Sequence, residues 1–256
     1  MIRTEMRRAF RSRAFLAACI LTMVFLMEGS RFEFEYLLGR GELVEGTWQE
    51  KLLEAAGYGG DQVVFFCPLL VVIPYVLSYR RERDSGFRQL MALKASESAY
   101  QRAKLLAVAA SGAGAICIPI LCWMPVCMLL GTGKTNPHGN NVLSQISDSW
   151  LPMLENRQTL FVFLYIVNAS LVGAMFALLG LGVSAVIRSR YPALLFPFGF
   201  CIFSAIIPAR GSKLNAFVLM ILGERWQSHI HIWYLLLLLI LGIGLFIGGD
   251  CHAEKA

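Results

Sequence analysis

Charge is what this sequence has least of. Only 16% of its 256 residues are Asp, Glu, Lys or Arg, whereas 57% are hydrophobic, and its mean hydropathy is +0.59. Soluble domains carry about 25% charged and about 45–50% apolar residues. That composition excludes a water-soluble globule and points to one polytopic membrane domain. The pI near 9.0 then bears on membrane orientation first, and no nucleic-acid partner is expected.

The usual catalytic patterns are missing too. GTGKTN at residues 131–136 looks like part of a phosphate loop, but such a loop needs a glycine six residues before its lysine, and Met128 stands there. No His-Glu-x-x-His and no intramembrane serine-protease pattern occurs. His229 and His231 are two residues apart, about 200° on a helix, and sit beside Trp226, Trp233 and Tyr234 in an interfacial composition. Six of the seven cysteines, Cys19, Cys67, Cys117, Cys122, Cys127 and Cys201, lie in apolar runs without a shared helical face. Apolar packing explains them better than metal or disulfide chemistry. Within the apolar runs ionisable groups are nearly absent, with Glu28, Asp61 and Asp250 at their ends. The chain itself is therefore expected to carry no enzyme activity, no metal and no cofactor.

What the sequence does have is apolar length. Six runs, at about 14–28, 62–79, 103–131, 160–187, 192–208 and 232–249, approach the roughly 20 residues that a helix needs to cross a bilayer. The faces before the first run, after the second, after the fourth and after the sixth carry 15 Lys or Arg. The three remaining loops carry eight, spread over more residues. The dense side is expected to be cytoplasmic, with both termini inside. The arginines at 3, 7, 8, 11 and 13 make residues 1–13 a candidate amphipathic helix lying on the membrane face. The first run ends FLMEGS without a small-x-small cleavage site, so it is read as a retained anchor.

Small residues mark helix contacts: Ala169, Gly173 and Ala177 in the fourth run, and Gly244 with Gly248 in the sixth. The fifth run is short. Pro192 to Ile207 reaches about 24 Å as a helix, less than the roughly 30 Å of a hydrocarbon core. A Pro208–Ser212 break and the apolar piece Leu214–Leu222 follow, so residues 208–228 read as a re-entrant segment.

The charged stretch RRERDSGFRQLMALK at residues 80–94 lies between the second and third runs. Asp84 or Ser85 is placed to cap a helix. Phe87, Leu90, Met91 and Lys94 then fall on one face. Such a helix either docks to a protein or rests on anionic lipid. Glu82-Arg83-Asp84-Ser85-Gly86-Phe87 is similar to the Glu-Arg-x-x-Gly motif of permease subunits of ABC-2-type transporters. Nearly the whole chain resembles that family: a basic N-terminal helix, six spans, the motif after span two, and a short fifth span with a re-entrant hairpin. The long outer loops 30–60 and 132–159 depart from a minimal member.

The resemblance implies an all-α polytopic membrane protein, a single permease domain over residues 1–256. It has an interfacial helix at 1–13, a cytoplasmic coupling helix at 80–95 and a re-entrant segment at 208–228. It implies a coupling surface of Glu82, Arg83, Gly86, Phe87, Leu90 and Met91 docked to a cytoplasmic ABC ATPase. That partner would hold the ATP and Mg that this chain does not bind. It also implies a second permease subunit, the same or homologous, in a bacterial plasma membrane. The expected function is export of a hydrophobic or amphipathic cargo, peptide favoured. The alternatives are a non-transporting scaffold or assembly factor, and a membrane-embedded enzyme.

Overall fold

In the computed structural model the first two helices meet at a capped elbow. Helix α1 spans Ile2–Phe10 and α2 spans Arg13–Gly29. Ser12 between them is extended, and its hydroxyl accepts from the Phe15 amide at 3.0 Å, satisfying one free N–H of the first turn. The two helices diverge by 51°. The structure describes residues 1–58, 62–85, 96–134, 153, 156–187, 189–206, 215–221 and 230–255.

Helix α3 (Arg31–Arg40) stops at Gly41, whose φ of 69° is the left-handed conformation that glycine adopts without a Cβ penalty. Helix α4 (Trp48–Leu53) starts with a capping box: Thr47 Oγ accepts from the Glu50 amide, and Glu50 accepts from the Thr47 amide. A π-helical turn, Glu54–Tyr58, follows. Residues 31–58 thus build two short helices and a π-helical turn. The remaining helices are α5 (Gln62–Leu70), α6 (Val76–Asp84), α7 (Glu97–Leu130), α8 (Gln158–Val186), α9 (Arg190–Ile206) and α10 (Ile230–Lys255), with a 3₁₀ turn at Ala216–Met220. Among the described residues there is no strand.

Helices α7, α8 and α10 are each long and apolar enough to cross a membrane, and α1 with α2 qualifies as one broken span. Helix α9 is shorter. The fold is that of an α-helical membrane protein. Its outer surface agrees: Leu16, Ile20, Val24 and Met27 all lie exposed along α2, an arrangement that water disfavours and lipid accepts.

The second apolar run does not form the continuous helix expected over 62–79. It breaks into α5 and α6 around a turn at 71–75. Pro74 is the cause: it has no N–H, and its ring clashes with the carbonyl four residues back. The turn tightens locally, with the Val72 amide bonding the Leu69 carbonyl at 3.3 Å.

Helix α8 is the central element and packs most extensively on α10 and α7. Close backbone approach makes this possible. A Cβ on Gly112 of α7 would lie 2.8 Å from the Gly173 carbonyl oxygen, and one on Gly173 would lie 2.9 Å from that of Gly112. Ala169 and Ala177 are fully buried beside this crossing. The α10 contact uses other glycines than the sequence pattern indicates. Gly242 meets the backbone of Leu178 and Leu179, and Gly249 meets Ala185. Gly244 and Gly248 have no described atom within 4 Å of an added Cβ. On a helix they lie on another face than Gly242 and Gly249, so they are not the pair that meets α8, and their face is left for a contact within or between subunits.

The described part of the expected re-entrant segment is the 3₁₀ turn, with Ala216, Leu219 and Met220 buried. Residues 208–214 and 222–228 lie outside the described residues. Asn168 of α8 holds this turn. Its Nδ2 donates to the carbonyls of Leu219 at 2.9 Å and Met220 at 3.2 Å. His231 Nε2 lies 3.4 Å from Asn168 Oδ1. Non-helical backbone at membrane depth needs internal partners of this kind.

Candidate functional site: a buried ionic clamp

The face of α1 that meets the bundle carries Glu5 and Ala9, four residues apart and both buried. Arg3 and Arg7 point outward. Glu5 is thus the single acid of a basic segment and lies on its inner face. Helix α7 shows the same spacing: Tyr100, Ala103, Lys104, Ala107 and Val108 are all buried. Its start at Ser96 places Lys104 two turns in, on the packed side.

These helices bring together six polar groups. Lys104 Nζ donates to Glu82 Oε2 at 2.9 Å and to Glu5 Oε2 at 3.3 Å. Arg8 Nη1 donates to Glu5 Oε1 at 2.8 Å and lies 3.1 Å from Glu82 Oε1. The Tyr75 hydroxyl donates to Glu5 Oε2 at 2.7 Å, and the Tyr100 hydroxyl donates to Glu82 Oε2 at 2.8 Å. Lys104 also stands 4.4 Å from the centre of the Tyr75 ring, a cation–π distance. Lys104 is fully buried, and Glu5 and Glu82 are 3% and 4% exposed.

Two carboxylates face two cations, so the cluster is neutral, which is how a low-dielectric interior tolerates four charges. Burial alone would raise the Glu5 pKa, but Lys104, the Tyr75 hydroxyl and Arg8 outweigh it and hold the carboxyl below its usual range. The clamp joins three segments: α1, α6 with the turn before it, and α7. Helices α6 and α7 flank the stretch 86–95.

Glu82 was expected on a surface offered to a partner. Instead it turns inward, because Lys104 and Tyr100 supply donors that water would otherwise provide. Only the backbone of Arg83 is described, in α6. Gly86, Phe87, Leu90 and Met91 lie outside the described residues, as does most of the 80–95 coupling segment. The sequence reading missed Glu5 and Lys104. The signals were present: a lone acid in a basic helix, and a lysine in register with Tyr100, Ala103 and Ala107.

A second buried charge group lies at the opposite end of α7. Lys51 Nζ is 3.3 Å from Glu33 Oε1, with both side chains almost wholly buried. Glu33 Oε2 is buried without a hydrogen-bond partner. Burial and the adjacent Glu33 carboxylate push the Glu54 pKa up to about 7. Thr132 pairs with Gly46 here, its amide donating to the Gly46 carbonyl at 3.0 Å. Thus residues 131–134 close the end of α7. Among the described residues no three metal-ligating side chains converge.

Fold and site together define a helical membrane protein whose charged end is pinned by an internal salt-bridge cluster. Compared with protein families, with curated proteins and with solved structures, the chain finds no match.

Proposed function

We propose that this chain is the membrane-embedded half of an ATP-driven exporter. In this reading it crosses the plasma membrane six times, with both termini in the cytoplasm, and pairs with a second permease subunit and a cytoplasmic ABC ATPase. The observation that carries the reading is the ionic clamp around Glu82. The motif glutamate binds α1, α6 and α7 into one frame, and residues 86–95 connect two members of that frame in the sequence.

A force applied to 86–95 would move α6 and α7 together and carry α1 with them, because three charged contacts resist separation. Glu82 then serves from inside the bundle as a positioning residue. Contact with the ATPase falls to Phe87, Leu90 and Met91, with Arg83 and Gly86 beside them. Nucleotide-driven closure of the ATPases would repack the permease halves and move cargo along their interface. A ring cluster of Phe65, Phe66, Phe198 and Phe217, with centroid separations of 5.0 to 6.4 Å, offers apolar surface for a hydrophobic or amphipathic cargo, and peptides fit best.

The test is co-expression of the tagged chain with ATPases encoded by adjacent genes, followed by purification in a mild detergent. A stoichiometric ATPase that hydrolyses ATP in the complex is the expected result. A chain that purifies alone under conditions where the ATPase is soluble and folded would instead favour the scaffold reading.

A further inference from the structure

A half-open cavity of about 970 Å³ borders the elbow between α1 and α2, lined on its polar side by Arg8, Arg13, Arg81 and Glu82. Its apolar side is formed by Ala14, Ile73, Pro74 and Leu194. The volume is at the upper end of the range for small-molecule sites.

The charges in this wall do not cancel. Glu82 is taken by Lys104 and Arg8, as described above. Neither Arg13 nor Arg81 meets a carboxylate among the described residues, and both side chains are exposed. Three serines also line the cavity, but their hydroxyl protons are already committed. Ser12 donates to the Pro74 carbonyl, Ser78 to that of Tyr75 and Ser85 to that of Glu82. The guanidiniums of Arg13 and Arg81 are left as donors for an anion.

We propose that this cavity binds an anionic phospholipid from the adjacent leaflet. A phosphodiester suits a guanidinium, whose planar N–H groups match two phosphate oxygens at once. The apolar wall then takes the first part of an acyl chain. The lipid phase is within reach: Leu16 and Leu195, close in sequence to lining residues, are 61% and 51% exposed. A soluble anion would use the arginines and leave the apolar wall unfilled. An acidic protein segment would need a path past the surrounding lipid-facing side chains. The site is independent of any ATPase, so it stands or falls separately from the exporter reading.

Native mass spectrometry of the full chain in a neutral detergent tests this, with equimolar phosphatidylglycerol and phosphatidylcholine and a separate arm containing glycerol 3-phosphate. Phosphatidylglycerol should be retained at least tenfold over phosphatidylcholine. The double substitution Arg13→Gln with Arg81→Gln should remove that preference, while Arg3→Gln with Arg7→Gln, an equal charge loss on the exposed face of α1, should keep it. Both pairs are exposed, and circular dichroism checks that each variant remains helical. Equal loss in the two double variants would mean diffuse surface attraction and overturn the proposal. Absence of a lipid preference in the wild type would overturn it as well. Glycerol 3-phosphate binding as tightly as the lipid would assign the site to a soluble anion instead.

Discussion

Replacing Lys104 by Met removes the fully buried cation that both carboxylates share. Met fills similar volume and keeps helix propensity, so the change is almost purely one of charge. Glu5 and Glu82 are then left with Arg8 alone, and the site carries an uncompensated negative charge. Removing one partner from a buried pair costs about 3–5 kcal/mol, a large share of the 5–15 kcal/mol that stabilises a typical fold. The two hydrogen bonds that Lys104 donates to Glu82 Oε2 and Glu5 Oε2 also go. Adding Glu82→Gln to Lys104→Met restores neutrality, since Glu5 and Arg8 remain as a 2.8 Å pair. The double variant should therefore recover at least 1.5 kcal/mol relative to the sum of the single losses, within the coupling range for residues in contact. Equilibrium unfolding in mixed micelles, followed by circular dichroism for all four members of the cycle, gives that number. Additive losses, with coupling below about 0.5 kcal/mol, would refute the clamp as a charge-balanced unit.

Two carboxyls should give opposite pH slopes. Glu5 has a lowered pKa in the fold, so its contribution is present above its usual value of 4.5 and is lost as pH falls through the lowered one. Glu54 has a pKa raised to about 7, so its contribution is complete below 4.5 and is lost as pH rises through 7. Glu54→Gln should flatten the melting temperature between pH 5 and pH 8, and an unchanged slope would contradict the raised Glu54 pKa. Gly112→Leu should destabilise the α7–α8 crossing by at least the 1–3 kcal/mol typical of overpacking, measured by the same unfolding assay. Gly248→Leu, with open space around it, should leave monomer unfolding within about 0.5 kcal/mol of the parent.

Helix class and length were readable because long apolar runs admit few alternatives. The expected runs at 103–131, 160–187 and 232–249 fall on α7, α8 and α10, the first two running one residue past the helix end. The interruption at 71–75 was less legible. Pro68 also lies in that run and is accommodated within α5, so proline alone does not say where the helix gives way. The glycines of α10 that meet α8 were less legible for a related reason. The run contains Gly242, Gly244, Gly248 and Gly249, and several spacings offer a helix face. Only the position of α8 selects Gly242 with Gly249.

The clamp was the least legible feature. Lys104 reads as a positive flank because a lysine at the end of an apolar run ordinarily snorkels to the surface. Its burial depends on Glu82, 22 residues earlier, and Glu5, 99 residues earlier. No local pattern joins those three positions, whereas the folded α1 and α6 bring two carboxylates to the same nitrogen. Lys51 behaves alike: it looks like an ordinary loop lysine until Glu33 of α3 is packed against it.

The exporter reading rests most directly on what residues 86–95 touch. The decisive measurement is the amount of ATPase co-purified per chain for the parent, Leu90→Asp and Lys94→Gln. Leu90→Asp places a carboxylate in an apolar contact, and a loss of about 1.4 kcal/mol already lowers association tenfold. Lys94 is expected at the solvated rim, where a charge contributes little. The account predicts at least a tenfold fall in bound ATPase for Leu90→Asp, near-parental binding for Lys94→Gln, and unchanged expression of both. Equal ATPase recovery from Leu90→Asp and the parent would contradict it.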